Sequence, residues 1–376
     1  MAAAIARCFF DEPVQVKVAG LRSKHSSATY RADGSGEIHL DRDPSLSGSY
    51  VGVEPMGLLW SMKPDTLHSR FAKTNFLTPK TVILSVHDED DGRMLTEVTN
   101  ERFLIGNGVS RVPIKEGNIC GALFMPPGGG PFPAVLDLSS SGLDSSTCLL
   151  ANKGFVVLSI PVYQDNPAKV KGIHLDYFEE AIDFLKRHSK VSCVTGHFKM
   201  VLPTLRLCRK GEMMFFADYE GGNSKLKFFL IPTESGAVIG MHVLDNPMAE
   251  ENKDTLIPIE RAKGQFLFVA SEDDLNWDSK TYMDQMVERL KRHGKDNFES
   301  VCYPGAGHVM ETPYGPYCPS SFHTVARRPA MWGGEARSHA AAEVHLWKKI
   351  QEFSRTHLSC EAAQIYGVIP SFFPQN

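Results

Sequence analysis

Four short apolar runs constrain this chain most: "PAVLDL" (133–138), "GFVVLSI" (154–160), "FLFVAS" (266–271) and "FESVCY" (298–303). Each is shorter than a stable helix and reads as a strand, the first two fit for burial in a parallel sheet. Amphipathic stretches separate and follow them. "HLDYFEEAIDFLKRHSKV" puts Leu175, Phe178, Ile182, Phe184 and Leu185 on or near one helical face. "SKTYMDQMVERLKRHG" and "AAAEVHLWKKIQEFSRTHL" read as two further helices. Strands alternating with helices predict an α/β domain with a mostly parallel sheet.

The N-terminal part has a different rhythm. "PVQVKVAGL" alternates apolar and polar positions, and "GSGEIHLDRDP" and "TVILSVHDEDDG" read as strand-and-turn units. No helical period interrupts them, so a β-sandwich is expected. The expected division is a β-sandwich domain over 1–115, an α/β domain over 116–360 and a tail over 361–376. The apolar stretch "EPMGLLWSMKP" (54–64) is expected in the sandwich core or against the next domain.

Composition excludes several function classes. The 376 residues carry a formal net charge of −4, which gives no reason to expect nucleic acid as a partner. Eight cysteines form no C-x-x-C pair, so no zinc knuckle or thioredoxin-like motif is indicated, and neither metal nor cofactor is expected. No apolar run is long enough for a membrane span. "MAAAIARCFFDEP" lacks the apolar core of a signal peptide, and "FFPQN" is not a peroxisomal ending. A cytoplasmic location is therefore expected, with the peroxisome as alternative. Nothing in the sequence sets the oligomeric state.

In open α/β sheets, functional groups gather at the carboxyl ends of strands. Three such ends carry suitable side chains, in the order nucleophile, acid, histidine: Cys208 in "TLRLCRKGEMM", the pair Asp273–Asp274 after "FLFVASE", and His308 in "YPGAGH". A thiol needs a base to become a thiolate, and the base needs an orienting carboxylate. Blander roles exist for each. A free cysteine is often a small apolar core residue, Asp273, Asp274 or Ser279 could cap the following helix, and a loop histidine is often merely solvated.

Long blocks of the chain resemble the acyl-coenzyme A thioesterase and bile acid-CoA:amino acid N-acyltransferase family. They include "YRADGSGEIHLDRDPSLSGSYVGVEPMGLLWSM", "PPGGGPFPAVLDL", "IPIERAKGQFLFVASEDDLNW", "CYPGAGHVMETPYGPYCPSSFH" and "MWGGEARSHAAAEVHLWKKIQEF". The resemblance implies a β-sandwich followed by an α/β-hydrolase domain, and cleavage of acyl-CoA or acyl transfer to glycine or taurine. It implies Asp274 as triad acid, His308 as base and Cys208 as nucleophile, with coenzyme A thioester as substrate rather than cofactor. Backbone N–H groups of Arg209 and of the loop at Ser140, Ser141 and Gly142 are the implied oxyanion donors.

The nucleophile region departs from the family pattern. Where the pattern has glycines on both sides of the nucleophile, this chain has Arg206 and Lys210, and Gly211 alone remains. The small residues let strand and helix approach closely around a strained backbone. Pro203 is awkward inside a central strand. Three readings follow: a Cys-His-Asp thioester hydrolase, an amino-acid N-acyltransferase, or a relative of weak or no activity.

Overall fold

The computed structural model describes residues 13–19, 24–70, 78–139, 145–161, 173–174, 176–198, 208–209, 212–213, 230–242, 258–323 and 326–358. The N-terminal part is an antiparallel sheet in the order Ser47–Gly48, Lys24–Arg31, Pro13–Ala19, Lys80–Asp88, Met94–Arg102. Lys63–Pro64 also pairs with Lys24–Arg31. Successive strand residues face opposite sides, so Ala28 and Tyr30, with Val82 and Val86, supply one buried face. That face packs on Tyr50, Leu58, Leu59, Trp60 and Met62. Gly57 makes this possible: a Cβ there would stand 2.3 Å from the Tyr50 ring.

"GSGEIHLDRDP" is turns rather than a strand. The Asp33 carboxylate accepts the N–H groups of Ser35 and Glu37 at 2.9 and 3.1 Å, and Asp43 accepts from His39 N–H at 2.7 Å. These local bonds satisfy the backbone in place of a ladder. The "EPMGLLWSMKP" stretch forms a short helix, Gly57–Trp60, with every residue buried. It fills the sheet's core and also reaches the C-terminal half, where Tyr317 N–H donates to Trp60 O at 3.0 Å.

The C-terminal part contains a five-stranded sheet ordered Val191–Phe198, Phe132–Ser139, Val156–Pro161, Ile119–Met125, Ser110–Glu116. The first three run parallel and the last two antiparallel. Ser110–Glu116 lies before the expected boundary at 116, yet it pairs with Ile119–Met125 across the turn. Helix Asp176–Arg187 covers one face through Tyr177, Ala181 and Leu185, packed on Leu136, Leu138, Leu158 and Ile160. Helix Ser145–Ala151 covers the other, with Cys148 and Leu150 on Phe124, Val135 and Val157. Both faces are thus buried, as the apolar runs require.

A separate parallel pair, Phe266–Ser271 with Phe298–Tyr303, carries the acid and the histidine at its carboxyl ends. Helix Ser279–Arg292 covers it with Met283, Met286 and Leu290. The long helix Ala336–His357 adds Ala342 and Leu346 against Tyr303 and Ala306. That helix also touches the N-terminal sheet: Ala340 joins its core, and Arg337 pairs with Glu54 at 2.6 Å. No helix among the described residues is long and apolar enough to cross a membrane.

Candidate active site

Strand Phe266–Ser271 ends directly in Glu272-Asp273-Asp274, and the pairing continues past the strand ends. Glu272 N–H donates to Tyr303 O at 3.1 Å, and Asp273 N–H to Ala306 O at 3.0 Å. The acid loop and the histidine loop are therefore tied by backbone before any side chain is considered. A third segment closes the assembly. Trp332 O accepts His308 N–H at 2.7 Å, and Gly333 bridges to Asp274. Only glycine fits at two of these crossings: a Cβ on Gly307 would lie 2.1 Å from Gly333 O, and one on Gly333 1.9 Å from Asp273 O.

On this frame His308 Nδ1 lies 2.8 Å from Asp274 Oδ2. The carboxylate is buried, and its other bonds fix its orientation. Oδ1 accepts the N–H groups of Asn276 and Trp277 at 2.8 and 2.9 Å, and Oδ2 accepts the Ser279 hydroxyl. Asp274 thus caps its own tight turn. Helix Ser279–Arg292 is capped by Asp278, which accepts from Thr281 N–H, rather than by Asp273, Asp274 or Ser279. A buried carboxylate with this many donors stays an acceptor for the imidazole.

Because Nδ1–H faces Asp274, Nε2 carries the free lone pair. Asn276 Nδ2 donates to it at 3.2 Å. The ring is walled by indoles: Trp332 stacks on it at 5.4 Å and Trp277 meets it edge-on at 5.2 Å. His323 packs on the far side of the group, 5.6 Å from the Trp332 ring. Burial, and then the charge of His308, pushes the His323 imidazole down to about 4, so it is neutral at pH 7. The arrangement is a one-sided base: an oriented imidazole with one nitrogen on a buried acid and the other turned to an exchangeable neighbour.

The other expected site residues fall differently. Cys208–Arg209 is a short strand paired antiparallel with Glu212–Met213, and the latter pairs with Ile173–His174. The backbone at Glu212–Met213 is extended rather than helical. The side chains of Cys208 and Arg209, and all of Ser140, Ser141 and Gly142, lie outside the described residues. Sequence reasoning missed Asn276, Trp277, His323 and Trp332. Asn276 and Trp277 had a signal, since they lie two and three residues after Asp274. Trp332 and Gly333 had another in the "WGG" run, whose glycines mark close backbone approach.

Comparison with known proteins agrees over most of the chain. Residues 22–116 match the family pattern described as acyl-CoA thioester hydrolase/BAAT N-terminal region, and 206–360 match its C-terminal counterpart. Human acyl-coenzyme A thioesterase 1 is 35% identical over 420 aligned residues, covering 97% of each chain. Mouse acyl-coenzyme A thioesterase 3 is 37% identical, with 93% of this chain and 92% of that one covered. Mouse peroxisomal succinyl-coenzyme A thioesterase is 34% identical, with 94% and 95% covered. A solved hormone-sensitive lipase from a metagenome library overlaps more loosely, with 13% identity, a TM-score of 0.35 and 67% and 87% of the two chains covered.

Proposed function

The chain belongs to the acyl-CoA thioester hydrolase/BAAT family, a family of enzymes, and on that premise we propose that it hydrolyses fatty acyl-CoA thioesters through Cys208, His308 and Asp274. The observation that carries the reading is the Asp274–His308 pair, at 2.8 Å, with the acid buried and the imidazole partly exposed. That is the geometry a general base needs.

Each step follows from a named group. Asp274 holds Nδ1–H and stabilises the imidazolium that forms. Nε2 takes the Cys208 proton as Asn276 yields its place. The thiolate attacks the thioester carbonyl, and backbone N–H groups at Arg209 and at 140–142 receive the oxyanion. The carbonyl re-forms, the bond to coenzyme A sulfur breaks, and the imidazolium protonates the leaving thiolate. Water, deprotonated by His308, then releases the acid and restores the thiol.

A second reading rests on the nucleophile being a thiol. An acyl-cysteine is itself a thioester, which amines attack more readily than they attack an oxygen ester. Glycine or taurine would then be the acceptor and an amide the product. We propose the cytoplasm as location, with the peroxisome as alternative, and acyl-CoA as the partner, with no nucleic acid, metal or other cofactor. We also propose the division of the chain into a β domain, a hydrolase domain and a tail.

The test is an acid-quenched mass measurement of the full-length protein after mixing with a long-chain acyl-CoA or a bile acyl-CoA. Acyl mass on the peptide containing Cys208, absent in Cys208→Ala, supports the covalent route. Coenzyme A release without any adduct, undiminished in Cys208→Ala, contradicts it. Amide product on addition of glycine or taurine would favour the second reading.

A further inference from the structure

The loop that carries His308 is held on both sides by one side chain. His339 is 4% exposed and sits in the first turn of helix Ala336–His357. Its Nδ1 accepts the Gly307 N–H at 3.0 Å, and its Nε2–H donates to Val309 O at 3.0 Å. The two ring nitrogens thus have opposite and fixed roles, and their partners are the residues immediately before and after His308.

The ring is itself braced. Glu343, one helical turn on and 6% exposed, places Oε1 3.4 Å from His339 Nε2 and accepts the Glu311 N–H at 2.9 Å. Burial pushes the Glu343 carboxyl up, with His339 and the Glu311 N–H acting against that. The Tyr317 ring packs on His339 at 5.3 Å, and its hydroxyl donates to Gly333 O at 2.8 Å and to Gly334 O. One cluster therefore touches both the histidine loop and the glycine segment that separates it from the acid loop.

An ordinary buried histidine needs only satisfied nitrogens. This one satisfies two backbone groups that flank the base, and an apolar replacement would leave both without partners in a buried place. We propose that His339, braced by Glu343, is the positioning residue of the site: it sets the backbone of 307–309 and so the reach of His308 Nε2. The proposal rests on the reading of His308 as the base. Loss of the grip would displace Nε2 without altering the groups that bind substrate, so it should act on turnover rather than on affinity.

The experiment uses the full-length protein with His339→Ala and His339→Asn. The Asn amide oxygen can occupy the place of Nδ1 and keep the Gly307 bond. Steady-state release of coenzyme A from a long-chain acyl-CoA should show kcat lowered about 10–100-fold in His339→Ala with KM within about twofold, because a displacement of about 1 Å carries a loss of that order. His339→Asn should recover most of the loss. Unchanged kcat in the Ala variant, or Asn no better than Ala at equal thermal midpoint, would overturn the proposal. If His339→Ala does not fold, His339→Gln, which keeps the Val309 bond and loses the Gly307 acceptor, stands in its place against Asn. If the wild type releases no coenzyme A, the functional reading fails, and hydrogen exchange decides the grip separately. Faster exchange confined to 304–310 in Ala and reversed in Asn supports it, and unchanged exchange there rejects it.

Discussion

At the scale of single residues, the site turns on how His308 is kept in one tautomer. Asp274 takes the Nδ1 side, two indoles fix the ring plane, and Asn276 holds the place at Nε2. The neighbouring His323 gives a pH signature that does not depend on activity. Its folded value is about 4 against an ordinary 6.5, so between these values the unfolded chain binds the extra proton. Stability is therefore undiminished above 6.5 and falls as pH drops toward 4, by at most about 3–4 kcal/mol. Thermal midpoints measured from pH 7 to 4 should fall along that window, and His323→Phe should flatten the fall. An equal fall in the variant would assign it to other groups. The sequence showed Asp274 and His308 because both follow apolar strands directly. It hid His323, Trp332 and His339, which reach the site from segments 15, 24 and 31 residues further on, counted from His308. Apart from the glycines that follow Trp332, no local pattern records that approach.

At the scale of elements, periodicity was a good guide and capping was not. The expected helix is there, Asp176–Arg187, but its fully buried stripe is Tyr177, Ala181 and Leu185, while Phe178, Ile182 and Phe184 flank it half-buried. Val156–Pro161 was legible because burial on both faces leaves no polar alternation, whereas Phe298–Tyr303 leaves Glu299 and Ser300 exposed. "GSGEIHLDRDP" misled because the carboxylates of Asp33 and Asp43 bond the local backbone and outcompete a ladder. The start of the last helix was also earlier than its apolar run implied. Glu335 caps it, accepting the N–H groups of Arg337 and Ser338 at 2.9 and 2.8 Å. Glu335→Ala should cost about 1 kcal/mol in a denaturant titration, the usual worth of an N-cap. A loss near zero would mean that packing alone holds the helix start. Gly307→Ala should do more, because its Cβ would stand 2.1 Å from a backbone oxygen. A loss of about 1–3 kcal/mol is expected from such overpacking, and a thermal midpoint equal to wild type would show that the crossing is looser than described.

At the scale of the whole molecule, the N-terminal sheet is a support for the site. Trp60 O, Glu54 and the core around Ala340 all meet the segments that carry or brace His308. His68 adds a further tie, accepting from Ser320 Oγ at 2.8 Å and donating to Ser235 O at 2.9 Å. The two-part architecture was legible from the change in sequence rhythm near 116. The join was less so, because Ser110–Glu116 reads as one more polar strand and pairs forward instead of back. The segment around Cys208 was the least legible, since the family's glycines are replaced there and Cys208–Arg209 and Glu212–Met213 are extended.

The central claim is that the Asp274–His308 pair drives thioester cleavage. The direct test is free-thiol release from a long-chain acyl-CoA by the full-length protein, beside Asp274→Asn and His308→Ala. Release that falls by about 10³–10⁴-fold in both variants, with the folded state intact by circular dichroism, is the predicted result. Release that persists at the wild-type rate in either variant would contradict it.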